Sequence, residues 1–464
     1  MSEAGNPSAL GPAEESAVRS RGEQDPSVLR AVVRLAWPAI AQQLLYTLLF
    51  LTDRIMLGHH SPEALAAMQV GGPLIWSLFS VMGAFSAGTV AVVGRAIGGG
   101  DRRGAAAALR ASLGLGLGAG LLSAALLPAI GPLVSGLFPE AGPLVQAHAE
   151  GYLTVAVPAM PVFLVGFAAA SALQAAGDTR TPFLVSVAAN VLNVGASWVF
   201  IYGKLGAPAM GAAGAALGSG LAAGLEMCVV LWVLGRPSAP VSWRGRGGER
   251  AALRRILDVS RAALGERVVQ HAGFMGYVVL IGWLGPMAMA ANQALIAIES
   301  VAFLTADGMG VAAATIVAQR LGAGAPDQAR RGGWVAVGLS ALLLSLAAVV
   351  FLLVPRPLLS LLVDSPQVVE LAVPCLRIGA LAQPFMAVAI VLSAALRGAG
   401  ATRAAFAATL IGALFVRIGA TAAFAFGMGL GLVGVWMGSA ADWLVRAGLV
   451  AWLFARGGWQ KLQV

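Results

Sequence analysis

The sequence predicts an all-α integral membrane protein of twelve transmembrane helices, built as two related six-helix halves in the same orientation. Three observations carry this. Hydrophobic residues make up 58% of the 464-residue chain and charged residues 11%, where soluble domains carry about 25% charged residues; mean hydropathy is +0.83. The basic residues gather in alternate connections between apolar segments. The chain also repeats itself at a distance of about half its length.

Apolar segments punctuated by Gly, Pro and Arg give spans near 30–57, 64–94, 106–128, 145–174, 182–203, 211–235, 256–283, 287–319, 332–354, 367–396, 404–427 and 430–455. With a cytoplasmic amino terminus, 23 of the 30 basic residues fall in cytoplasmic loops and tails, and only Arg54, Lys204 and Arg356 fall outside. That asymmetry is the positive-inside bias of a polytopic protein with both ends in the cytoplasm. The remaining four, Arg267, Arg377, Arg417 and Arg446, lie within spans.

The repeat is visible in three segments. LQAAGDTRTPF from Leu173 matches LRGAGATRAAF from Leu396, GAAGAALGS from Gly211 matches GLVGVWMGS from Gly431, and VAVVGRAIGGG ending at Gly100 matches ATIVAQRLGAG ending at Gly324; the offsets are 223, 220 and 224. Six spans per half is an even number, so both halves share one orientation, a plan in which substrate binds between lobes related by an axis along the membrane normal. The expected organisation is a disordered cytoplasmic tail over 1–28, a first lobe over 29–235, a cytoplasmic linker rich in Arg and Gly over 236–255, a second lobe over 256–456 and a short tail over 457–464.

The first span, LRAVVRLAWPAIAQQLLYTLLFLTDRIMLG from Leu29, carries two residues that hydrocarbon discourages, Pro38 and Asp53. Fifteen residues at about 1.5 Å each separate them by roughly 22 Å, so both lie at or near the depth of a bilayer core. The proline removes a backbone hydrogen bond and lets the helix bend. Two readings stand for the carboxylate: a partner or water-filled cavity where it handles ions or protons, or a pair with Arg54 near the surface.

The other acidic residues within spans are Glu226, Glu266, Glu299, Asp307 and Asp442. Glu299 and Asp307 are eight residues apart on one helix, about 80° around its axis and 12 Å along it, so they can line one cavity wall. Glu266 and Gln270 share a helix face with His271 beside them, and Asp442 and Arg446 are spaced for an intrahelical ion pair. Glu226 stands alone near mid-span.

Several classes of chemistry are excluded. Lys204 and Lys461 are the only lysines and neither precedes Ser or Thr, so the chain has no Walker A loop for ATP. The net charge of +9 reflects loop arginines and implies no nucleic-acid partner. Cys228 and Cys375 lie in apolar stretches and form no disulfide framework. His59 and His60 lack further metal ligands, leaving sodium at the carboxylates as the one metal to expect. The GGGDRRG run from Gly98 reads as a turn, and GLGLGAGLLSA from Gly114 permits close helix packing.

Taken in order, WPAI at Trp37, DRIMLGH at Asp53, GERVVQHAGF at Gly265, ANQALIAIESVAF at Ala291, GVAAATIVAQRLGAG at Gly310, the paired GDTRTPF and GATRAAF segments, and DWLVRA at Asp442 resemble the multidrug and toxic compound extrusion (MATE) transporters of the MOP flippase superfamily. The resemblance covers roughly residues 30–456. It implies two lobes forming a V around a central cavity, alternating access driven by sodium or proton entry, and cationic, amphipathic substrates. It makes Pro38 and Asp53 the pair at which some members bend the first helix on protonation, and Glu266 and Glu299 the acidic positions of the second lobe. The chain departs from the family where some members carry a second acid on span 5: NVGASWVFIYG from Asn193 puts Ser197 there, leaving Asp53 with Asn190, Asn193 and Ser197 as polar neighbours. Asp307 falls where the family has an apolar or small residue and adds an acid to the second lobe.

The expected function is a monomeric antiporter of the cell's inner (plasma) membrane, without cofactor, in which H⁺ or Na⁺ exchanges for a small cationic substrate. Desolvation favours the neutral carboxyl and a bound cation the ionised one; their competition is the coupling. Asp53 leads the candidates, followed by Glu299, Asp307 and Glu266. The rivals are a lipid-linked or polysaccharide precursor flippase, which needs a cationic cavity built from Arg267, Arg377, Arg417 and Arg446, and an integral-membrane enzyme, which needs a catalytic cluster at the surface.

Overall fold

The computed structural model describes residues 26–137, 142–363 and 365–462; most of the expected amino-terminal tail lies outside them. Every regular element among the described residues is helical. The first half contains α1 (Pro26–His60), α2 (Pro62–Gly98), α3 (Arg102–Gly136), α4, bent by 53° between Pro143–Ala156 and Met160–Ala175, α5 (Arg180–Tyr202) and α6 (Ala212–Leu234). The second half contains α7 (Glu249–Gly282), α8 (Pro286–Gly322), α9 (Pro326–Leu353), α10 (Pro366–Gly398), α11 (Thr402–Gly427) and α12 (Gly431–Arg456). All but α7 and α12 are long and apolar enough to cross a membrane by composition alone, counting the two parts of α4 together. Those two span 34 and 26 residues, and within the bundle Glu266 of one is met by Arg397 and Asp442 of the other by Arg417. The chain is a multi-pass membrane protein of two six-helix lobes.

Sequence punctuation sets the helix ends. Asp101 in the GGGDRRG turn caps α3, accepting from the Gly104 amide at 2.8 Å. Helix α1 runs through Pro38 without a break. The linker is an ordered strap: Arg110 donates to Glu249 at 2.8 Å and to the Gly247 carbonyl at 3.0 Å, Trp243 donates to the Leu231 carbonyl, Val241 is buried, and helix resumes at Glu249. At the carboxyl end Trp459 is buried and stacks on Phe454 with ring centroids 4.6 Å apart.

The lobes meet at the end of the bundle that holds the described chain termini. There the start of α1 (Val32, Leu35, Ala36) packs into an apolar cluster of the second lobe, and the start of α7 (Ala252, Ile256) packs into one of the first. The seal is reciprocal: a Cβ at Gly98 would overlap the Gln319 carbonyl, and a Cβ at Gly322 would overlap the Arg95 carbonyl. Gln319 Nε2 reaches across to the Ala175 carbonyl at 2.7 Å, while Arg95 Nη2 reaches the Ala399 carbonyl at 2.9 Å. These are the segments whose repetition the sequence displays. At the opposite end each apolar cluster draws on one lobe only, around Leu57 and Tyr152 in the first and around Tyr277 and Trp436 in the second. Apolar packing thus seals the lobes together at the terminal end, and no apolar cluster among the described residues joins them at the other.

Candidate functional site

One face of α1 points into the first lobe. Gln42, Tyr46 and Asp53 recur at spacings that bring them within about 40° of each other around the helix, and α5 and α6 supply the groups that meet them. Asp53 is 4% exposed. Ser197 Oγ donates to its Oδ1 at 2.9 Å and Ser219 Oγ to its Oδ2 at 3.2 Å. Asn193, with its amide nitrogen turned to the carboxylate, donates to Oδ1 at 3.3 Å while its oxygen accepts from the Ser219 amide at 3.1 Å. Gly218 allows this: a side chain there would collide with Ser197 Oγ, so α6 could not bring Ser219 to the aspartate. Arg54 points away from the site into a surface hollow with Ile55 and His59, and no ion pair joins it to Asp53 among the described residues. Every group bonded to this carboxylate is neutral.

Asn190 lies one turn from Asn193 and gives its amide to the Ser186 carbonyl at 2.8 Å, within its own helix; it does not join the Asp53 cluster. Ser219 was missing from the sequence expectation, although its place in the repeated GAAGAALGS segment was a signal. Glu226 also finds partners: Ser186 Oγ and the Tyr46 hydroxyl donate to its Oε1 at 3.0 and 3.3 Å.

The second lobe treats its carboxylates differently. Glu266 accepts from Arg397 at 2.8 Å and from Thr409 at 3.2 Å. Asp442, fully buried, takes a two-pronged contact from Arg446 at 2.6 and 2.5 Å and a second ion pair from Arg417 at 2.8 Å. The expected intrahelical pair is thus present and has a second arginine on it. Gly412 makes the space, since a Cβ there would overlap both Arg446 and Asp442. Glu299 lies beside Gln383 and within electrostatic range of Arg417. Gln270 is half-buried, and the neighbouring His271 ring lies 3.3 Å from Ser77 Oγ of the first lobe.

Glu299 and Asp307 do not line one wall. The 80° between them sends Glu299 into its own lobe and Asp307 across the seam, where it accepts from Gln43 of α1; next to it Gly308 lies against the backbone of Ile40. Asp307 therefore sits at the inter-lobe contact rather than in an acidic pocket of the second lobe.

The repeat relates the two sets of groups. Gln42 bonds Ser186 and Gln174, while Glu266 bonds Thr409 and Arg397, displaced by 224, 223 and 223 residues respectively. Asp53, Asn193, Ser197 and Ser219 correspond in the same way to Tyr277, Arg417, Thr421 and Ser439, and Glu226 to Arg446. Gly438 packs on Thr421 Oγ1 as Gly218 packs on Ser197 Oγ. Along α5 and α11 the offset grows from 223 to 224 across the π-helical segment Leu410–Val416, whose wider turn absorbs the extra residue.

Comparison with known proteins matches this two-lobed plan. The family model described as MatE covers residues 38–199 and 262–438, one match in each half. The chain belongs to the MATE family. It is 29% identical over 453 residues to the probable multidrug resistance protein NorM of Thermotoga maritima, covering 95% of both chains. It is 33% identical over 431 residues to the protein of the same name in Pseudomonas aeruginosa, covering 89% of this chain and 86% of the relative. The fold is that of a multidrug resistance MATE transporter solved in an outward-facing conformation, with a TM-score of 0.86 at 21% identity over 94% of this chain and 97% of that one.

Proposed function

We propose that this MATE protein is an ion-coupled antiporter that exports small cationic, amphipathic compounds in exchange for H⁺ or Na⁺ by alternating access. One observation carries the reading: Asp53 is a buried carboxylate held, among the described residues, only by hydroxyl and amide groups. Neutral donors stabilise the ionised form without neutralising it, so its charge remains available to an incoming proton or sodium ion. Neutralising that charge alters the bonding between α1 and the α5–α6 pair. Because the start of α1 packs on the other lobe, movement of α1 couples ion occupancy to the seal. Membership of the family and the NorM relatives support export of drugs. The arginine asymmetry supports placement in the cell membrane with both termini cytoplasmic, so that the sealed end faces the cytoplasm, and a single copy carries both lobes.

The flippase reading has less support. Of the four arginines it would use, Arg417 and Arg446 are both committed to Asp442, and Arg267 lies in the field of Glu266 and Asp307.

Purified protein in proteoliposomes, loaded with a fluorescent organic cation and given a proton or a sodium gradient separately, tests the proposal. Flux under one gradient and its loss in Asp53→Asn are the expected results. Absence of flux under both gradients, or wild-type flux in the variant, would refute it.

A further inference from the structure

Glu226 is half-buried on α6, and the coupling step leaves it without a role. A directed chain of hydrogen bonds ends on it. Gln174 Nε2 donates to Gln42 Oε1 at 3.0 Å, and Gln42 Nε2 donates to Ser186 Oγ at 3.0 Å and to the Tyr46 hydroxyl at 3.2 Å. Ser186 and Tyr46 then pass their own hydrogens to Glu226 Oε1. All donors point one way, which favours a full negative charge at the terminus. Among the described residues no arginine, lysine or histidine forms an ion pair with this carboxylate, and the other carboxylate oxygen receives none of the hydrogen bonds in this chain.

The second lobe provides an internal control. There the counterparts of Gln42, Gln174 and Ser186 are Glu266, Arg397 and Thr409, and the carboxylate of that cluster is neutralised by a guanidinium at 2.8 Å. The counterpart of Glu226 itself is Arg446, paired with Asp442. The first lobe keeps the carboxylate and, among the described residues, pairs it with no cation, which leaves it open to a cation from outside the chain. Tyr46 adds a phenol ring beside the acid, a combination suited to a weakly hydrated organic ammonium.

We propose that Glu226, with Tyr46 and Ser186, binds the positively charged nitrogen of the exported compound, at a site separate from Asp53. Tyr46 and Asp53 are two helical turns apart, about 10 Å along α1, so substrate and coupling ion occupy different carboxylates and communicate through that helix. This rests on the antiporter reading and divides its labour: Asp53 for the ion, Glu226 for the substrate.

Equilibrium binding of ethidium to purified protein in nanodiscs, followed by fluorescence anisotropy, tests the assignment without any gradient. Glu226→Gln is expected to raise Kd by roughly tenfold or more, and Tyr46→Phe and Ser186→Ala, which each remove one donor, by roughly threefold. Asn190→Ala, one turn away and outside the cluster, is expected to stay within about twofold of wild type. Thermal unfolding of each variant reports whether the fold survives; if Glu226→Gln unfolds, the two donor variants decide. Wild-type protein that does not bind ethidium, or variants that fold and bind it as wild type does, would overturn the proposal. Failure of the coupling assignment shows instead as gradient-driven flux persisting in Asp53→Asn.

Discussion

Asp53 in the first lobe and Asp442 in the second are both buried, at 4% and 0% exposure, and they differ in what neutralises them. Asp53 has two serines and an asparagine; Asp442 has two arginines. The difference extends through the repeat, with Asn193 opposite Arg417, Gln174 opposite Arg397, and Glu226 opposite Arg446. One fold thus carries a lobe that pairs Glu266 and Asp442 with arginines and a lobe in which neither Asp53 nor Glu226 has an ion-pair partner among the described residues. A buried ion pair holds its charges in place, and removing one partner leaves the other uncompensated. A buried carboxylate among neutral donors is the one whose charge can be exchanged. The comparison teaches that burial alone does not mark a coupling residue; the missing counter-charge does.

The largest expected effect comes from breaking the paired lobe. Asp442→Asn leaves Arg417 and Arg446 without the carboxylate that pairs with both and should cost about 3–5 kcal/mol of stability. Asp53→Asn, losing only hydrogen bonds from neutral groups, should cost about 1 kcal/mol. Unfolding in detergent of the two variants side by side measures the contrast, and equal losses would erase the distinction between the lobes.

Transplanting the cation sharpens it. Asn193→Arg places the second lobe's guanidinium beside Asp53, and gradient-driven flux in proteoliposomes is expected to disappear while the protein still folds. Retained flux would mean that the counter-charge is irrelevant to coupling.

Where the halves are alike, their variants should behave alike. Gly98→Val and Gly322→Val each push a side chain into a carbonyl of the other lobe, overpacking worth about 1–3 kcal/mol. Labelling of Ala318→Cys from the terminal end by a membrane-impermeant maleimide should rise in both. The smallest effect belongs to Asn190→Ala, which removes a bond within one helix and should change stability by about 0.5 kcal/mol; a flux change with it would return Asn190 to the site.

Much of this was legible in the chain itself. Hydropathy and the arginine pattern mark the spans because the bilayer penalises charge by position, and the repeat survives because both lobes solve the same packing problem. Asp53 stands out on composition alone, and Asn193 and Ser197 are visible as polar residues on the helix that meets it. The pairing of Asp442 with Arg446 follows from helical spacing, a local property. Its second arginine, Arg417, does not, because it arrives from α11 over a sequence distance that no periodicity encodes. For the same reason Glu226 had no interpretable context until α1 and α5 brought Tyr46 and Ser186 to it. Asp307 could be assigned to a helix face, but which lobe that face touches depends on how two six-helix bodies dock.

The sequence by itself determined the membrane class, the two-half plan and the list of charges placed at membrane depth, since each depends on composition or on spacing within one helix. The tertiary structure alone decided which of those charges are neutralised. Ion pairing acts over about 3–4 Å, and only the packing of helices distant in the chain sets distances on that scale.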